Sequence, residues 1–114
     1  MGLDVSHDCW HGPYSSFARF REQLANCIGT NLNNYEGYGG TVKFSTLQHD
    51  LEPLLNHSDC DGTLSPDECE RIIKGLNSIL PNVPPECEDL KKSIVQFRDG
   101  CQSAVDADED VYFH

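Results

Sequence analysis

The chain has 114 residues, the size of one domain, and its nineteen acidic against eight basic side chains give a formal charge of −11. Partners held through a phosphate backbone need clustered Lys and Arg, so nucleic acid and an anionic membrane surface are excluded as expected targets. No apolar run approaches the roughly 18–20 residues of a membrane span, and membrane insertion is not expected.

Six cysteines, an even number with no C-x-x-C pair, favour three disulfides over a zinc site. Cys9, Cys27, Cys60, Cys69, Cys87 and Cys101 would then require an oxidising compartment, most simply secretion. Met1-Gly2 runs into polar sequence, so the chain reads as a mature form whose leader is gone. The sequon Asn56-His57-Ser58 fits that reading and makes Asn56 a candidate glycosylation site.

Residues 1–13 read as a polar N-terminal arm ended by Gly12-Pro13, pinned by Cys9, with Trp10 laid against the body. His7 and His11, with Asp4 and Asp8 near them, make only a weak metal constellation. The domain proper spans 14–101. Its first helix should begin near Ser15 or Ser16 and run to Ile28, with Gly29 as the stop. Phe17, Phe20, Leu24, Cys27 and Ile28 form its inner stripe. Residues 30–41 carry Asn, Gly and Tyr without apolar periodicity. Tyr35 and Tyr38 are candidate partner contacts there, because Tyr gives large contact area at low entropy cost.

A second helix should open at Ser45, with Gln48 completing a capping box, and bend at Pro53. Ser65-Pro66-Asp67-Glu68 is another capping box, with Pro at the first helical position. It starts a third helix whose stripe is Cys69, Ile72, Ile73, Leu76, Ile79 and Leu80, with Gly75 a soft point. Pro81, Pro84 and Pro85 stiffen the next turn. Glu86, Glu88 and Asp89 then open a fourth helix through Leu90, Ile94 and Phe97 to a stop near Gly100. Residues 102–114 form an acidic C-terminal tail.

Between the second and third helices lies His57-Ser58-Asp59-Cys60-Asp61-Gly62-Thr63-Leu64-Ser65-Pro66-Asp67-Glu68. Asp59, Asp61, the Thr63 carbonyl, Ser65 and Glu68 stand where alternate places of a twelve-residue loop supply oxygen, and Gly62 stands at the sharp sixth place. The segment from Phe44 to Leu80 resembles a single EF-hand, and the surrounding cysteines resemble extracellular modules of the osteonectin type. The resemblance implies a Ca2+ site at those five residues. The departure is His57, which stands where the family has an acid. One oxygen and one negative charge are thereby removed, and Asn56 is a substitute donor only if it carries no glycan.

The expected fold is all-α, a small four-helix arrangement containing one EF-hand-like helix-loop-helix and stapled by three disulfides. An up-down-up-down order would bring Cys27 beside Cys87, leaving Cys69–Cys101 and Cys9–Cys60 as the remaining pairs. The expected function is a secreted calcium-binding or calcium-stabilised domain that binds an extracellular protein or receptor. The alternative is a secreted metal-free signalling ligand, of pheromone or venom type, on the same scaffold. No enzyme is expected, since neither a Ser-His-Asp nor a Cys-His set is evident; His49 and Asp50 are adjacent on a helix and do not face each other.

Overall fold

Leu3 and Val5 alternate with polar neighbours, and that period of two builds a strand rather than a loose arm. The computed structural model describes residues 2–36, 38–47, 49–57 and 62–113. In it Gly2–Val5 (β1) pairs antiparallel with Trp10–Pro13 (β2), Asp4 opposite His11 and Val5 opposite Trp10. His7 and Asp8 occupy the turn at φ 60° and 61°, and Cys9 N–H donates to Ser6 O at 3.2 Å. Two consecutive positive-φ residues match the right-handed twist of a hairpin. His-Asp supplies them without the Asn-Gly signature that would have announced the turn.

Tyr14–Cys27 (α1) follows directly. Trp10 stacks on Phe20 with ring centroids 4.9 Å apart and meets Phe17 edge-on at 5.4 Å. The expected second helix divides. Phe44–Thr46 is one 3-10 turn, and Glu52–Leu55 (α2) is a single α turn with Pro53 in its first positions. Pro53 therefore starts a helix, where its missing N–H costs nothing, instead of bending one. Gln48 lies outside the described residues.

Thr63–Leu64 (β3) precedes Pro66–Ile79 (α3), whose capping box is complete. Gly75 does not end α3; a Cβ there would lie 2.7 Å from Leu51 Cγ, so Gly75 lets the α2 approach pack closely. Glu88–Ala107 (α4) runs through Gly100 and ends at Asp108 in the left-handed region, φ 55°. The chain then returns as Val111–Tyr112 (β4), antiparallel to β3 with Thr63 opposite Tyr112 and Leu64 opposite Val111. Val5 bridges to Phe113 on the other side. α3 and α4 pack along each other, while Phe17, Phe20 and Phe97 join the core from α1 and α4.

Two features of the expected fold are corrected. The molecule is mixed: the described residues form two small antiparallel sheets beside four α-helices, because hairpin and return strand satisfy backbone groups that helices alone would leave open. The three-disulfide framework is not found: among the described residues no disulfide stands at bonding distance, and Cys9, Cys27, Cys69, Cys87 and Cys101 are free thiols. Three of those sulfurs converge on one spot, which defeats a one-to-one pairing. No helix of the described residues is long and apolar enough to cross a membrane.

Candidate functional site

The loop after α2 is entered through Asn56, whose N–H donates to Glu52 O at 2.9 Å. His57 follows and turns its ring inward. Nε2 lies 2.9 Å from Thr63 O, and since a carbonyl only accepts, Nε2 carries the proton. The ring stacks on Phe113 at 4.1 Å between centroids. It also covers Gly62, where φ is +98° and a Cβ would meet the imidazole at 3.2 Å. Glycine there answers both the backbone angle and the ring above it. Leu64 points inward and is fully buried.

Ser65 and Glu68 engage each other. Glu68 N–H donates to Ser65 Oγ at 3.2 Å, and Ser65 N–H donates to Glu68 Oε1 at 2.9 Å. Of the five expected ligands, Thr63, Ser65 and Glu68 thus sit along one short stretch, while Asp59 and Asp61 lie outside the described residues, as does Cys60. Among the described residues, no group of three or more His, Cys, Asp or Glu side chains is arranged to hold a metal ion.

Arg21 supports the same loop from behind. It is 3% exposed and its Nη1 donates to the carbonyls of Leu54 and His57. Its guanidinium lies 4.8 Å from the Phe17 ring centroid and 5.4 Å from that of Tyr38. A planar, weakly hydrated cation between aromatic faces is well suited to burial. Sequence reading missed it, although Arg21 falls four residues after Phe17 and three before Leu24, inside the apolar stripe.

Tyr38 donates from its hydroxyl to Leu55 O at 2.9 Å, and Tyr35 stacks on Phe44 at 4.6 Å with its hydroxyl 3.0 Å from Thr30 Oγ1. Tyr35 is buried and braces the connector against Thr30 and Phe44, and the half-buried Tyr38 ties it to α2 and to Arg21 of α1. Asn56 is exposed. Cys27, at the end of α1, lies close enough to Cys87, just before α4, that burial and the neighbouring sulfur push its thiol up.

A second polar cluster joins the hairpin to the return strand. Ser6 Oγ accepts from Tyr112 N–H at 2.9 Å and lies 2.8 Å from His7 Nδ1, while His7 Nε2 is 3.0 Å from Glu109 Oε1. Serine, imidazole and carboxylate in series resemble a hydrolytic set in order alone. The nearby Asp108 and Asp110 carboxylates would oppose any developing oxyanion, and the serine oxygen is already engaged as an acceptor. The cluster works as a stitch. On the hairpin face His11 bridges Asp4 at 3.0 Å and Asp8 at 2.6 Å, and those two bonds hold its pKa above 6.5.

No protein-family model matches the chain, and no curated protein or solved structure does so either.

Proposed function

We propose that the chain is a non-enzymatic interaction domain whose EF-hand-type turn works without calcium, with His57 closing the loop from inside. One observation carries this reading: the His57 Nε2–H bond to Thr63 O at 2.9 Å. That carbonyl is the one the resemblance assigns to the ion. An arriving cation would have to displace the ring, break its stack on Phe113 and uncover Gly62. Arg21, held against the His57 carbonyl, adds a fixed positive charge behind the loop.

The partner proposed is an extracellular protein or receptor with a basic face. The surface of this chain is acidic overall, and among the described large apolar side chains only Val42 and Tyr112 are exposed. Contact would therefore be made through charge more than through an apolar patch. Secretion belongs to the same proposal, supported by the exposed Asn56 of the sequon.

Thermal melting with and without calcium tests it. At about 5 mM Ca2+ a site of about 1 mM affinity would add about 1 kcal/mol, or roughly 4–8 °C for a domain this size. The expected wild-type shift is under about 1 °C, while His57→Asp, which returns an oxygen and a charge, gains a shift in that range. A calcium-dependent rise in the wild type would overturn the metal-free reading and favour the calcium-binding one, through Asp59, Asp61, Thr63 O, Ser65 and Glu68.

A further inference from the structure

Three thiols from three elements converge beneath the hairpin turn. Cys9 closes the turn, Cys69 lies in α3 and Cys101 in α4, and all three are fully buried. Cys101 is in the middle, its thiol beside those of Cys69 and Cys9, and Cys9 Sγ lies against the adjoining Gly100. The contact with Cys101 draws the Cys69 thiol down, while the contacts with Cys69 and Cys9, and then burial, push that of Cys101 strongly up. A sulfur placed between two others can form a covalent bond to only one at a time.

A cleft of about 480 Å³ opens beside this cluster, lined by His7, Asp8, Gln96, Asp99 and Gly100. Gly100 separates it from Cys9 by little. A Cβ on Gly100 would lie 2.4 Å from Cys9 Sγ and 2.9 Å from Cys9 Cα. The carboxylates of Asp8 and Asp99 on the cleft wall, within a chain of net charge −11, give the approach a negative potential.

We propose that Cys9, Cys69 and Cys101 form a thiol–disulfide exchange centre, one movable bond among three sulfurs, oxidised through the cleft by small cationic disulfides. This is a single bond that changes partners, distinct from a framework of three. Cystamine, the doubly charged disulfide of an aminothiol, is the probe. The Cys9 sulfur attacks one cystamine sulfur, the reagent's S–S bond breaks, and one cysteamine leaves carrying the Cys9 proton. The Cys101 sulfur then attacks Cys9 in the mixed disulfide and releases the second cysteamine with the Cys101 proton. The Cys69 sulfur next attacks Cys101, freeing Cys9, which takes the Cys69 proton. Two protein thiols become one disulfide and one cystamine becomes two thiols, so electrons and protons balance. The tie moves from hairpin–α4 to α3–α4.

The test uses the whole chain, reduced and then exposed to cystamine at neutral pH, with timed acid quenching, alkylation and peptide mapping. A Cys9–Cys101 link should appear first and give way to Cys69–Cys101. In Cys69→Ser the Cys9–Cys101 link should accumulate. In Cys9→Ser, formation of Cys69–Cys101 should slow by about tenfold or more, since the entering thiolate is gone. At low ionic strength cystamine should act roughly tenfold faster than glutathione disulfide, whose net charge is negative, and the gap should narrow with salt. Each variant is first checked for wild-type circular dichroism; the wild-type time course stands without them. The proposal is overturned if all three residues alkylate as free thiols after Cys27 has reacted, or if any of them links to Cys27, Cys60 or Cys87. Equal rates with the two disulfides at low salt overturn the cleft as the entrance.

Discussion

Replacing Gly100 by Ala sets two effects of opposite sign against each other. In the interior of α4 the substitution should stabilise by about 1 kcal/mol through helix propensity alone. The hairpin turn, however, sits directly on Gly100. The added Cβ would lie 2.4 Å from Cys9 Sγ, 2.8 Å from His7 O and 2.9 Å from Cys9 Cα. Two of these three contacts are backbone, so rotating the Cys9 side chain cannot relieve them, and the whole turn must lift. Overpacking of a buried site costs about 1–3 kcal/mol, and a clash with backbone belongs at the upper end. The net expectation is destabilisation by about 1–2 kcal/mol, or a melting temperature lower by roughly 5–15 °C. Urea titration monitored by circular dichroism at 222 nm measures it. Adding Cys9→Ala should recover only part of the loss, because His7 O and the Cys9 backbone remain in the way. A Gly100→Ala protein more stable than wild type would refute the close approach of turn and helix.

Ser65→Ala removes the acceptor for Glu68 N–H and should cost about 1 kcal/mol in urea unfolding, with no change in m value. Arg21→Met keeps the length of the side chain but removes the guanidinium bonds to the carbonyls of Leu54 and His57. A loss of about 2–3 kcal/mol is expected by the same assay, and a neutral outcome would mean the guanidinium does not serve those carbonyls. His11 should titrate above 6.5 in proton NMR because Asp4 and Asp8 bond its ring, and Asp4→Asn should bring it back toward that value. The sign follows from the raised folded-state pKa. Its contribution to the hairpin is complete below 6.5 and is lost as pH rises through the higher value.

Legibility from sequence followed the range of the forces involved. α1 and α3 were readable because their apolar stripes are local; Ser65 and Glu68 make the two bonds their spacing implies, whereas Ser15 and Ser16 fall inside α1, which starts after Pro13 without a side-chain cap. The second helix was not, because the period of Phe44, Leu47, Leu51 and Leu55 is filled by two separate turns that tertiary packing aligns. Gly75 and Gly100 read as weak points or stops, whereas Leu51 and Cys9 occupy the space a side chain would need. Such contacts depend on residues about 24 and 91 positions away in the chain, which no local window contains. In the loop, the substitution at His57 was visible, but the stack on Phe113 depends on where residues 111–113 return. The cysteines showed the limit most sharply. Cys27 does approach Cys87, while the convergence of Cys9 and Cys69 on Cys101 follows from the hairpin and was not foreseen.

β4 lies between elements from opposite regions of the chain, pairing with β3 on one side while its neighbour Phe113 bridges to Val5 on the other. Tyr112 and Ser6, joined by two hydrogen bonds, are 106 residues apart. Closing a flexible loop of that length costs about 4 kcal/mol of chain entropy by the logarithmic rule. That cost must be met before Phe113 can cover His57 or Val111 can fill the core, so this stitch should form late. During synthesis the earlier helices can collect before residues 111–113 emerge. The loop after α2 then stays open until residue 113 has cleared the exit tunnel and can lie over His57.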